Sequence, residues 1–163
     1  IFGILGTITG AIFAWLGGRA DENFGPKPVI AVSVALLTAI ALGVVFVSRE
    51  SVFGVAVAEG STLPDVAFYI LGGLIGAAGG SLQAASRTLL VHLTPRDRMT
   101  ESFGLYALAG KATAFIAPLS IAGLTKLTGS QALGIVPLIG LFALGLFLLL
   151  WVKPETKNEQ DHP

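Results

Sequence analysis

Long apolar runs separated by short polar stretches organise this chain. Five such runs stand out, at residues 1–17, 28–48, 66–93, 102–127 and 131–152. A helix crosses about 30 Å of hydrocarbon with about 20 apolar residues at 1.5 Å per residue. The pattern therefore predicts an all-α membrane protein, a bundle of five transmembrane helices (A to E) over residues 1–152. A polar tail, residues 153–163, follows. Pro28 suits the first turn of B, where its missing N–H costs nothing. Run C is long enough to tilt. Run D is interrupted by Lys111 and Pro118, and Pro118 should bend it. Run E ends at Trp151, where an interfacial aromatic belongs.

Composition supports the pattern. AVILMFWYC residues make up 53% of the 163, charged residues only 12%, and mean hydropathy is +0.81. Soluble domains carry about 25% charged residues, so these cannot clothe a water-soluble globule. Disorder needs the opposite balance. Net charge is zero, which leaves no basic footprint and predicts no nucleic-acid partner. With no cysteine, disulfides and thiolate metal sites are excluded. No metal or cofactor is expected. The chain begins inside an apolar run and is expected to be a piece of a longer one.

Cations in the connections set orientation. Arg19 and Lys27 precede B, Arg87, Arg96 and Arg98 lie between C and D, and Lys153 and Lys157 follow E. The opposite side holds Arg49 and Lys126. The cation-rich side, with the C-terminus, is expected to be cytoplasmic. The acidic B–C connection, with Glu50, Glu59 and Asp65, falls outside. B and E hold few polar side chains and read as lipid-facing. A, C and D carry glycines, threonines and isolated polar groups and read as protein-facing.

Run C has Gly72, Gly76 and Gly80 at four-residue spacing, the sign of a close helix contact. At about 100° per residue, Tyr69, Gln83 and Arg87 share that stripe. Ordinary packing and a sliding face in a moving protein both fit. A Gln83 amide away from lipid needs a partner, either a neighbouring helix or a substrate. Lys111 lies about 13 Å into D at 1.5 Å per residue, close to the bilayer centre. A lysine there costs about 2.5–3.5 kcal/mol and faces a cavity or a partner. It would contact an anionic group or join proton coupling, and a buried ion pair is the alternative. No acidic side chain of this chain sits at its depth. Tyr106 and Thr113 are weaker substrate-path candidates beside Lys111 and Gln83. The A–B connection, residues 17–27, reads as a loop.

In position, however, that loop is similar to the glycine-acid-basic signature of the major facilitator superfamily. Glu22-Asn23-Phe24-Gly25 falls where the signature has Asp-Arg-x-Gly, with Asn23 in place of the cation. Gln83-Ala84-Ala85-Ser86-Arg87, the stretch from Phe103 to Thr113, and Pro118 resemble the superfamily's vacuole-effluxer (autophagy-related amino-acid exporter-like) branch. The resemblance implies the C-terminal part of a twelve-helix transporter working by alternating access, with A to E as helices eight to twelve. It implies that A, C and D line the path, and that amino acids are a solute class, by efflux. Partners are then the bilayer, the N-terminal half of the same chain and a small solute, with a proton as candidate coupling ion. The setting is a bacterial inner (plasma) membrane. Asp21, Glu22, Gly25 and Arg87 take the place of a cytoplasmic gate, and Gly72, Gly76, Gly80 and Pro118 that of helix packing. A membrane scaffold or sensor that does not transport is the rival class. An enzyme is not expected, since no Ser/His pair, aspartate pair or metal-ligand cluster shares a depth.

Overall fold

The computed structural model describes residues 2–47, 51–58 and 60–153. It is helical apart from one small hairpin. Helix α1 spans Phe2–Phe24 and α2 spans Pro26–Val45. Strands β1 (Ser51–Val52) and β2 (Val55–Ala56) precede the long α3, Leu63–Leu93. A single 3₁₀ turn, Arg96–Arg98, leads into α4 (Met99–Thr113) and α5 (Ile116–Thr128). Helices α6 (Gln131–Gly134) and α7 (Val136–Trp151) close the chain. Among the described residues, three helical stretches are long and apolar enough to cross a membrane: Pro26–Val45, Leu63–Leu93 and Arg96–Thr128. Helix α7 is apolar but shorter.

The segment expected as the A–B loop is mostly helix. Gly17 and Gly18 sit within α1, which runs on to Phe24. The reversal is confined to Gly25, whose φ of 82° is a conformation that a residue with a Cβ rarely adopts. The Gly25 N–H closes the turn on the Asp21 carbonyl at 2.8 Å. Pro26 and Pro28 then open α2. Within D, the helix breaks between Thr113 and Ile116. Pro118 explains the position: it offers no N–H to the Ala114 carbonyl four residues back, and its ring crowds that carbonyl. The polar tail from residue 154 lies outside the described residues.

The central packing is α1 on α3, side by side and parallel. Gly6 sits opposite Gly72 and Gly76, Gly10 opposite Gly76 and Gly80, and Gly17 opposite Ser81. A Cβ on Gly76 would collide with the Gly6 carbonyl oxygen, and one on Gly80 with the Gly10 carbonyl oxygen. Backbone therefore lies directly on backbone. The Ser81 hydroxyl donates to the Phe13 carbonyl at 2.8 Å and ties the same interface. Between lipid-bathed helices no hydrophobic drive exists, so close van der Waals contact and such hydrogen bonds supply the attraction.

Helix α2 runs antiparallel against α3, and these two helices carry most of the buried residues among those described. Ile30 and Val34 meet Ala85 and Leu89, with Phe142, Leu146 and Leu149 of α7 packed over them. This corrects the lipid-facing reading of run B. One face of α2 is core, while Val32, Leu36 and Leu42 on another remain exposed. Apolar side chains suit protein and lipid equally, so composition could not separate the two faces. Conversely, α4 and α5 bury no residue among those described. Where β1 and β2 meet, Phe53 and Gly54 both have positive φ, as a tight hairpin turn requires. The Phe53 ring lies over Gly43 of α2.

The α1–α3 contact makes a sharp stability prediction. Gly76→Ala and Gly80→Ala should each cost about 1–3 kcal/mol, because backbone must move to admit the methyl group. Gly79→Ala, with open space around it, should be neutral or stabilising. Thermal unfolding of the purified protein checks this; equal melting temperatures for all three would contradict the packing.

Candidate functional site

The parallel α1–α3 pair leaves a groove along one side. Its first part is a cavity of about 480 Å³ walled by Gly6, Gly10, Gly76 and Gly80, with Thr7, Gln83 and Arg87 as polar lining. Of its lining glycines, Gly79 has open space where a side chain would stand. Its second part, about 610 Å³, is lined by Trp15, Gly18, Arg19, Asp21, Glu22 and Thr88. Ala14 lines both. The groove thus joins the stripe residues Gln83 and Arg87 to the acidic end of α1.

The groove's charges are not paired with one another. Among the described residues the one ion pair is Arg98–Glu101, at 3.0 Å and exposed. The Arg19 guanidinium lies over the Trp15 ring, 4.1 Å from its centroid. Asn23, placed where the superfamily signature has a cation, donates to the Arg19 carbonyl at 2.9 Å. Asp21 is only 7% exposed, and its Oδ1 has no hydrogen-bond partner among the described residues. Gln83 and Arg87 are exposed.

Lys111, Tyr106 and Thr113 are not brought to this groove. All three are exposed on α4, and Thr113 donates back to the Ala109 carbonyl at 2.8 Å. Lys111 stands near the middle of the Arg96–Thr128 run, one turn before the break that Pro118 imposes. The structure thus divides the sequence-derived residues into two groups. Gln83, Arg87, Asp21 and Glu22 line the groove, with Gly25 forming the turn just beyond; Lys111, Tyr106, Thr113 and Pro118 lie along the D rod.

Sequence reasoning missed Lys27. Its Nζ donates to the carbonyls of Val152 at 2.7 Å and Leu150 at 3.3 Å. A cation there satisfies carbonyls that the end of α7 leaves open and complements the helix dipole. This contact puts the α1–α2 turn and the end of α7 at one end of the bundle. The positions are 125 residues apart, so only the odd–even order of the spans hinted at it. Beyond the contact, Trp151 packs edge-on against Phe147 with centroids 4.8 Å apart.

An apolar helical bundle with a small-residue groove defines an integral membrane protein, and comparison with known families agrees. The family described as vacuole effluxer Atg22 like matches residues 64–162, and the chain belongs to that family. It is 28% identical over 152 residues to the uncharacterized MFS-type transporter YxiO of Bacillus subtilis (strain 168), covering 93% of this chain. The chain spans 32% of that relative's length. No solved structure matches.

Replacing Lys27 by Met should release the end of α7. The loss is about 1 kcal/mol, since the contact lies near the surface. Faster amide hydrogen exchange over residues 149–153, with the α1–α3 interface unchanged, is the expected result.

Proposed function

We propose that the chain is the C-terminal five-helix part of a secondary transporter that moves a small solute by alternating access. It belongs to the vacuole effluxer family, and one relative is an MFS-type transporter by name. The observation that carries the mechanism is the glycine-walled groove beside the parallel α1–α3 pair. Side chains that interlock resist sliding; a bare backbone interface offers few of them. Small shifts of α1 against α3 would then widen or close the groove while the helices stay in contact, as rocking around a midplane site requires.

In this reading Gln83 hydrogen-bonds the solute from the groove. Lys111, without a side-chain partner among the described residues, supplies positive charge to an anionic group from the side of D. Tyr106 and Thr113 share its helix and support it. Arg87 and the α1 end with Asp21, Glu22 and Gly25 form the gate on the cation-rich, cytoplasmic side of a bacterial inner membrane. Efflux is the direction that the family's description favours, and amino acids are the solute class that the motif resemblance favours. The protein is a carrier and not an enzyme, and its N-terminal half supplies the rest of the site.

Uptake into vesicles holding the full-length protein tests this. Lys111→Ala and Gln83→Ala should each weaken solute affinity about tenfold or more, the worth of one hydrogen bond to a charged or buried group. Wild-type affinity and coupling in both variants would remove these residues from the path. A well-folded wild type that moves none of a broad panel of solutes would favour a scaffold or sensor.

A further inference from the structure

Asp21 poses a problem that the gate role does not solve. Its side chain is buried, yet Oδ1 has no partner among the described residues. It also sits in the last turn of α1, where the negative end of the helix dipole disfavours an acid, and no basic residue of that turn offsets it. Arg19 is on the same helix but two positions away, and residues so spaced do not face each other. Its guanidinium is instead committed to Trp15. Arg87 lines the neighbouring cavity and makes no ion pair with Asp21. A buried carboxylate oxygen without a partner is costly, so this corner of the groove calls for positive charge.

We propose that a small monovalent cation binds in the α1–α3 groove at Asp21. The Thr88 hydroxyl lines the same space. Its hydrogen is directed to the Ala84 carbonyl at 3.3 Å, which leaves oxygen lone pairs for an ion. Glu22 is exposed on the same lining and adds negative potential. One buried carboxylate with neutral oxygens matches a single positive charge. A divalent ion such as calcium wants several carboxylates or carbonyls, and no cluster of three or more acidic, His or Cys side chains suited to a metal exists among the described residues. Binding would neutralise the end of α1 beside Gly25, where the helix reverses. A coupling ion placed there would bias the gate; that further step rests on the transport reading, while the binding itself does not.

Sodium is the probe. The melting temperature of the purified full-length protein is followed against sodium chloride, with equimolar choline chloride as control. The wild type should show a saturable rise with sodium alone. Asp21→Asn, close in shape, should lose that rise, with a melting temperature near that of the wild type in choline. Thr88→Val should raise the half-saturating sodium concentration about tenfold, the worth of one oxygen to a charged group. Equal responses to sodium and choline in the wild type would overturn the proposal, as would a sodium response that survives in Asp21→Asn. A wild type stabilised by lowered pH and indifferent to sodium assigns the corner to a proton. An Asp21→Asn protein that melts lower, with no ion dependence in either form, assigns it to a basic side chain elsewhere in the chain. Both results overturn the cation. Sodium binding by a protein that moves no solute would keep the site and remove the transport reading.

Discussion

Backbone lying on backbone is the constraint from which the rest follows. Gly6, Gly10 and Gly17 of α1 meet Gly72, Gly76, Gly80 and Ser81 of α3 with no room for a methyl group at the closest points. Glycine weakens an isolated helix by about 1 kcal/mol per residue relative to alanine. A bilayer lowers that cost, since water cannot compete for the helix's backbone hydrogen bonds. What remains is offset by close van der Waals contact along the interface and by the Ser81–Phe13 hydrogen bond. Because the two helices run parallel, the chain between them must cross the bundle and return. Helix α2 makes that crossing and becomes the wall on which α3 and α7 pack.

The same glycines that bring the helices together also shape the groove. Gly76, Gly79 and Gly80 line it, Gly79 with open space where a side chain would stand, and Gln83 and Arg87 border the opening. Packing and candidate function are therefore not alternatives at these positions. The stripe read from sequence as either contact or sliding face is a contact whose edge is a cavity. The exposed apolar rod of α4 and α5 belongs to the same picture. It has no buried residue of its own among those described, so its apolar surface is open along its length.

Legibility in the sequence followed the range of the interaction. The four-residue spacing of Gly72, Gly76 and Gly80 is a local signal and announced a tight contact. Pro118 is equally local, and the break lies at the carbonyl it deprives. The A–B loop misled because two adjacent glycines look like a turn, whereas Gly17 is needed inside α1 for the approach to Ser81. Run B misled because a uniformly apolar helix hides which face is core. Lys27 was invisible for a third reason: its partners are backbone carbonyls 123 and 125 residues away, and carbonyls carry no sequence signature. Of the site, Gln83 and Arg87 could be put on one stripe by helical arithmetic. That Asp21 joins their groove, and that Lys111 does not, depends on how α1 and α4 sit beside α3.

A disulfide trap probes the parallel, backbone-to-backbone pairing of α1 and α3. The chain has no cysteine of its own, so an introduced pair is unambiguous. A Cβ at Gly73 would lie 3.7 Å from Cγ2 of Thr9, within reach of a disulfide. Full-length protein carrying Thr9→Cys and Gly73→Cys, with a protease site inserted at Gly54, is oxidised in native membranes and then cleaved. The two fragments should stay joined until reduced, while an Ile8→Cys and Gly73→Cys control falls apart. Free fragments from the first pair, or equal linkage in both, would contradict that pairing.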